Sequence, residues 1–416
     1  MPATMTTVSS ILKEVYEGTT REQLNNDVTA LRRIEKTSEG VTSEVGGKYV
    51  TFPIHTKRNP GIGARAEGEV LPTAGNQSLN AARVSLKYLY GAVRLTGQTF
   101  ELANSNFQAF ASALDTEMTG LRNDLAKDLN RQVFGTANSV LATATAVGTG
   151  SAGNNPFNVL AVSGAQYIEV GAIVDVYDTT QATLKASART IVSVNQTTGA
   201  IVFDGASQST VAGDVMVRSG NGNLGVGGTG AAGQREITGF GAIVNNTTLY
   251  NINPASEPKW QGVVSSNSGT NRSLSEGLMI QQVDAVRNNG GKVSVVFTNL
   301  GVRRAYFNLL TQQRRFSNTM EFDGGFTGLA FTTDQGDLPV VVDVDCQYNT
   351  MYFLDEKNIK VYRANDWEFM NRDGSNWQRV VSGGNVDAYD ATLYSYQEIG
   401  THRRNGHAIL KDITEG

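Results

Sequence analysis

The sequence predicts an α+β protein with a small β-rich domain spliced into it, and three features carry that prediction. An amphipathic pattern from about residue 106 to 134 is long enough for a strut-like helix. Alternating apolar and β-branched runs lie on both sides of it with two shorter helical patterns, in an order that is not a βαβ series. Between 141 and 236 the composition shifts abruptly, to ten charged residues among 96 against 64 among the other 320. A chain of 416 residues is too long for one compact core and implies roughly two or three domains. A hydrophobic content of 40% supplies those cores, and 45 glycines point to many turns.

Residues 9–36 read as an N-terminal arm with two short helices, the second announced by the capping-box spacing Thr20-Arg21-Glu22-Gln23 and striped by Leu24, Val28 and Leu31. The stretch 48–94 then holds Lys48, Lys57, Arg58, Arg65, Arg83, Lys87 and Arg94 against only Glu67 and Glu69. Its arms, Tyr49–Ile54 and Val84–Tyr90, alternate as half-buried strands do. The Gly/Pro-rich segments Asn59–Gly63 and Leu71–Asn76 between them form no core. Eight paired residues would carry the tip roughly 26 Å from its root. A two-stranded ribbon is marginal alone and needs a surface to lie on. An ordinary surface hairpin with solvated charges is the alternative, and these residues alone leave it open.

The strut helix follows, with Ser105 and Gln108 at capping-box spacing, Gly135 as its stop, and Phe107, Phe110, Leu114, Met118, Leu121, Leu125, Leu129 and Val133 stepping by three and four. It would run about 43 Å, and Gly120 in its middle marks a bend or a close backbone approach. Within 141–236, the short strands at 167–177, 190–194, 200–203 and 215–217 predict a small β-barrel or sandwich between Ala/Gly-rich hinges at 141–155 and 219–234. Beyond it come a helix at 274–289 headed by Ser273–Glu276, the strand 293–297, a helix capped by Asn299, and β-segments around Val340, Met351 and Ile359. Strands at 392–396 and 407–410 close the chain.

A net charge of −4 excludes a general polyanion binder. The opening residues lack a basic and an apolar signal region and no run reaches a membrane span, so a cytoplasmic protein with no membrane partner is expected. The single cysteine, Cys346, excludes an intrachain disulfide and is expected buried and inert. His55, His402 and His407 have no zinc-type spacing, no G-x-S-x-G occurs, and Gly225–Gly230 matches G-x-G-x-x-G without the strand and helix that would make it a phosphate loop. No metal, cofactor or catalytic constellation is expected. Asp343 and Asp345 project from one strand face, opposite Val342 and Val344, as a paired acid site or, more strongly, as the watered face of a one-sided sheet. Asp124 and Asp128, beside Lys127 and Arg131, read as a solvated face or an intersubunit ion-pair row. Arg32-Arg33, Arg303-Arg304 and Arg314-Arg315 either touch phosphate or form surface ion pairs.

Arm, basic hairpin, strut helix, α+β body and closing strands together resemble the major capsid proteins of tailed bacteriophages with the HK-97 fold. The stretches Arg21–Asn26, Gly63–Gly68, Leu71–Gln77, Leu121–Leu125 and Asp128–Gln132 are the most specific. The resemblance implies an N-terminal arm at 1–47 and an extended loop at 48–96. It implies a peripheral domain at 97–140 and 376–416 with spine helix 106–134, an inserted β domain at 141–236, and an axial domain with part of the peripheral sheet at 237–375. It further implies a virion shell protein, assembled in the host bacterial cytoplasm, forming pentamers and hexamers of an icosahedral shell around double-stranded DNA bound without sequence specificity. Few residues precede the first arm helix, so a separate scaffolding protein is implied, along with a portal and a possible decoration protein. Lys57 and Lys87 are available for the isopeptide bond some members form. Candidate intersubunit contacts are Lys57, Arg58, Arg65, Glu67, Glu69, Arg83, Lys87, Asp124, Asp128, Arg403 and Arg404. An encapsulin-type nanocompartment shares the fold with another cargo, and a β-rich adhesin or carbohydrate-active enzyme is the alternative from a different class.

Overall fold

The computed structural model describes residues 27–38, 49–98, 107–222, 235–312, 320–321, 327–334, 336–371, 374–381 and 385–416. The capping box at Thr20–Gln23, the arm's first helix, Ser105, the Gly225–Gly230 match and Arg314-Arg315 lie outside the described residues.

In chain order, α1 (Thr29–Arg33) and β1 (Glu35–Thr37) precede β2 (Tyr49–Lys57), β3 (Ser78–Ser85) and β4 (Lys87–Thr96). Helix α2 (Phe107–Phe134) follows, within a residue of the span expected from its apolar stripe. Then come β5 (Val140–Thr143), β6 (Asn155–Asn158), β7 (Ile173–Tyr177), β8 (Leu184–Asn195), β9 (Ala200–Phe203) and β10 (Val215–Arg218). The body continues through α3 (Phe240–Ile243), β11 (Val263–Ser265), α4 (Glu276–Asn288), β12 (Val295–Thr298) and α5 (Leu300–Gln312). It ends with β13 (Met320–Glu321), β14 (Thr327–Gly328), β15 (Ala330–Thr333), β16 (Gly336–Val342), β17 (Met351–Leu354), β18 (Ile359–Arg363), β19 (Glu368–Phe369), β20 (Gln378–Val381), β21 (Asn385–Thr401) and β22 (Ala408–Leu410).

The helix ends follow their local chemistry. Ser275 accepts the Leu278 N–H at the head of α4, and Asn299 accepts the Val302 N–H at 2.9 Å at the head of α5. Gly290, at φ +77°, takes the left-handed turn past α4.

Three larger sheets result. Long β21 organises one, pairing with β18, β19, β20 and β4, while β1 adds to β18 in parallel. A second runs β11-β22-β17-β12-β16-β15. The third, β5-β10-β7-β8-β9-β6, is antiparallel throughout. It curls until its two edges meet, the Thr145 N–H donating to Asn158 O at 2.8 Å, and encloses Phe157, Ile201, Phe203 and Met216 in its own core.

The second hairpin arm departs from expectation. The partner of Tyr49–Lys57 is Ser78–Ser85, and the chain then leaves the ribbon at buried Leu86, so that β4 joins β21 in another sheet. The expected arm, Val84–Tyr90, therefore spans a break. Alternation runs unchanged through it, and only the burial of Leu86 in the body shows where the sheet changes. On the far side, a Cβ at Gly91 would lie 2.6 Å from Leu125 Cδ1 and 2.9 Å from Leu121 Cδ1, which marks how closely α2 lies on β4. Gly120, by contrast, faces open space, with no close approach within the chain.

The end of α2 enters the main core. Phe134 is fully buried, with the rings of Phe240, Tyr352 and Phe297 at 5.4, 6.0 and 6.1 Å. Beside this cluster lies a second departure. Asp343 and Asp345 are 1% and 6% exposed, where a watered sheet face was expected. They sit just past β16, where the strand has ended, so alternation no longer assigns a face. Asp343 accepts the Ala30 N–H of α1 at 2.8 Å, the Asp345 N–H at 2.8 Å and the Asn130 amide of α2 at 3.0 Å. Asp345 accepts from Asn130 at 2.6 Å and Lys127 at 2.9 Å, while Asn130 Oδ1 receives the Leu31 N–H. Burial pushes the Asp343 carboxyl above its ordinary pKa, against the pull of those donors. Asn130→Ala would strip one donor from each carboxylate and orphan Leu31, and is expected to destabilise the fold by about 2–3 kcal/mol. An unchanged urea midpoint would count against this role.

Two buried groups give opposite pH dependence. Glu398 on β21 accepts the Thr238 and Ile399 N–H groups at 2.6 and 2.9 Å, and burial lifts its pKa to about 7 despite them and despite nearby Lys87. It binds a proton more readily folded than unfolded, so its contribution turns unfavourable as pH rises from its ordinary 4.5 through about 7. His407, fully buried, accepts the Asp355 N–H at 3.2 Å and lies 2.9 Å from Thr401 Oγ1, and burial drops its pKa to about 3. Acid therefore favours unfolding through His407 from about 6.5 down to about 3. Glu398→Gln keeps an acceptor oxygen and removes the charge. It should raise the thermal midpoint at pH 8 and change it little at pH 4.5; equal shifts at both pH values would refute the assignment.

Candidate assembly surface

The β2–β3 ribbon pairs from Tyr49↔Ser85 to Lys57↔Ser78, with a bulge between His55 and Lys57. Its root is fixed to the body. Val50, Ala82 and Val84 are buried against Tyr250, Ile252, Trp260 and Tyr362. Phe52 stacks on Tyr362 with centroids 6.4 Å apart and meets His402 edge-on at 4.6 Å. The Arg83 N–H donates to Tyr250 O at 3.1 Å, and the Tyr250 hydroxyl donates to Ile399 O at 2.7 Å. Farther out, Lys57 Nζ lies 3.1 Å from Glu257 Oε1. Burial raises the Glu257 carboxyl, but hydrogen bonds from Lys57, Thr56 and Asn80 outweigh it and hold the group below its ordinary pKa.

Beyond that clamp the ribbon stands free of the body. From 57 to 81 no residue is buried, and Ile62, Val70 and Leu71 are 80%, 87% and 78% exposed. The tip is nevertheless ordered by its own bonds. Asn59 donates to Gly75 O at 2.8 Å and accepts the Gly61 N–H at 2.7 Å. Arg65 donates to Val70 O and Ala64 O, both at 2.9 Å, and Glu69 accepts the Ala66 N–H at 3.0 Å across a turn with Gly68 at φ +81°.

The expected contact residues thus divide. Arg58, Glu67 and the Arg83 side chain are exposed on the ribbon. Arg65 and Glu69 are exposed but partly engaged in shaping the tip. Lys57 holds the ribbon to its own subunit, and Lys87 opens β4 in the sheet rather than in the ribbon. Asp124 is exposed on α2. Asp128 does not form the outward row expected with it. Its carboxylate is claimed inside the chain by Arg131 at 3.1 Å, Arg218 of β10 at 3.0 Å and Gln132 at 2.8 Å. Burial raises its pKa, and those charges and bonds outweigh burial and bring it to about 2. Arg131 also reaches Glu236 at 2.6 Å, so α2 is tied both to the last strand of the curled sheet and to the segment that leads out of it.

Arg404 is a clear correction. It is fully buried and donates to Ile243 O, Thr247 O, Trp260 O and Ala242 O, at 2.9, 2.6, 3.2 and 3.2 Å, so it meets no second subunit. Those carbonyls include the unsatisfied end of α3, which needs donors. Burial lowers its pKa to about 10. Arg403 is half-buried and donates to Asn289 O at 3.3 Å. Sequence reasoning missed Tyr250, Glu257 and Trp260, which seat the ribbon. They fall in an irregular loop with no periodic pattern, and only the aromatic pair Tyr250 and Trp260 marked it as more than a connection. Among the described residues no group of three or more His, Cys, Asp or Glu side chains is placed to hold a metal ion, and no helix is long and apolar enough to cross a membrane.

Residues 215–414 match the sequence model of the SU10 major capsid protein family. No curated protein sequence matches the chain. Among solved structures, the chain resembles the capsid asymmetric unit of cyanophage A-1(L), with 13% identity, a TM-score of 0.58, and 99% of this chain and 100% of that one covered. A structure from Mycobacterium phage Bobi gives 9% identity, a TM-score of 0.49 and 99% coverage of both chains. An encapsulin complex from Synechococcus elongatus gives 6% identity and a TM-score of 0.46, with 100% of this chain and 97% of that one covered. The chain thus has the HK-97 capsid fold throughout, and residues 215–414 carry the sequence pattern of the SU10 major capsid protein family.

Proposed function

We propose that the protein assembles, in the host bacterial cytoplasm, into pentamers and hexamers of an icosahedral shell that encloses double-stranded DNA, with each β2–β3 tip lying across a neighbouring copy. The observation that carries this reading is the tip itself: Ile62, Val70 and Leu71 are held out by an ordered ribbon with no core of their own. Exposed apolar side chains on a fixed scaffold gain about 25 cal/mol for each Å² that a partner covers. Arg58 and Glu67 beside them supply charges of both signs for register. Single exposed ion pairs contribute only about 0–1 kcal/mol, so cohesion comes from buried ribbon faces repeated around closed symmetry.

The role is structural rather than catalytic. DNA is met through lysines and arginines of the inner surface without base readout. A separate scaffolding protein and a portal complete assembly, and the curled sheet of β5–β10 is the surface a decoration protein would use. Lys57 is committed to Glu257, which favours non-covalent contacts over an isopeptide bond at this lysine. Replacing 59–76 by a two-residue Asn-Gly turn should leave soluble, folded subunits and no shells by electron microscopy. Normal particles from that variant would overturn the role given to the tip.

A further inference from the structure

A cleft of about 260 Å³ opens where the ribbon root meets the 402–405 turn, lined by His55, Lys259, Trp260, His402, Arg403 and Arg404 among others. Every ionisable side chain in its wall is basic, and no carboxylate lines it. The carboxylate nearest in sequence, Glu257, is already occupied by Lys57. Lys259 is exposed and has no hydrogen-bond or ion-pair partner among the described residues. Arg403 gives one nitrogen to Asn289 O, leaving other donors of its fork unassigned. Beneath them Arg404 is bonded to carbonyl oxygens alone, so its charge is solvated by dipoles but not cancelled.

We propose that this cleft is an oxyanion site, taking a small dianion of the phosphate class between Lys259 and Arg403. A planar guanidinium and an ammonium lining one cleft suit phosphate oxygens, and the uncancelled charge of buried Arg404 adds attraction. Pro53, Ile54, His55 and Thr56 of β2 line the same cleft, so the bound anion would join the ribbon to the turn that holds it. The site does not depend on the tip or on shell formation.

The test is a calorimetric titration of the purified full-length protein with inorganic phosphate, at ionic strength held constant with chloride. Saturable binding is expected, weakened about tenfold or more in Lys259→Gln/Arg403→Gln, which removes two charged donors. Lys360→Gln, which removes a half-buried lysine paired with Glu35, should bind as the wild type does. Should the double variant fail to fold, Lys259→Gln alone gives the same reading, since that side chain has no partner among the described residues to lose. Absence of saturable binding, equal binding by the cleft variants, or equal weakening by Lys360→Gln would each overturn the site.

Discussion

The carboxylate of Asp343 joins three segments that lie far apart in the chain, and the rest of the architecture is arranged around that junction. Its oxygens receive the Ala30 N–H from the arm, the Asn130 amide from α2 and the Asp345 N–H from its own loop. A buried carboxylate without donors would carry a desolvation cost of several kcal/mol, and each donor present offsets part of it. The junction is therefore directional in a way apolar packing is not. Leu, Val and Phe side chains around Phe134 can slide with modest loss, but Asn130 bridges two carboxylates and one N–H only in a single register. Helix α2 is thereby fixed both along its axis and about it.

From that fixed helix two structures project. The insertion is tied down at Asp128 through Arg218 and at Arg131 through Glu236, and from its other side Gln166 donates to Val344 O and Cys346 O while Tyr167 donates to Asp345 O. The loop that carries the two buried aspartates thus has α2 on one side and the insertion on the other. Burial among these groups also pushes the Cys346 thiol far up, leaving it protonated and unreactive. The ribbon is seated instead on β18, β21 and the 249–260 loop.

Legibility in the sequence follows how local each determinant is. Helix α2, the head of α4 at Ser273–Glu276, the cap Asn299 and the compositional break of the insertion are set by neighbours in sequence, and all were readable. The ribbon and its uncovered tip were readable from alternation and from Gly/Pro content. What alternation could not show is where a strand changes sheets, because Val84–Tyr90 keeps its period straight through the break at Leu86. Buried charge was misread for the same reason. Asp343, Asp345 and Asp128 have partners hundreds or tens of residues away, and a carboxylate's burial depends on those partners rather than on its own segment. Arg404 lies beside Arg403 in sequence and has the opposite exposure, a difference decided by four carbonyls from distant loops.

Rigidity at the ribbon root matters because of leverage. A rotation of about 5° at the root would swing a tip roughly 26 Å away by roughly 2 Å, enough to lose every hydrogen bond it makes across an interface. The root is accordingly held by contacts that resist rotation about different axes. Phe52 lies between Tyr362 and His402, the Lys57–Glu257 pair acts farther out along the ribbon, and the Arg83 N–H pins the opposite strand to Tyr250. Tyr250 is in turn bonded to Ile399 O on β21, one residue from Glu398 and in the same sheet that packs on α2. The direction in which each tip points is thus traceable, through one strand and one helix, to the register that Asn130 sets against Asp343 and Asp345.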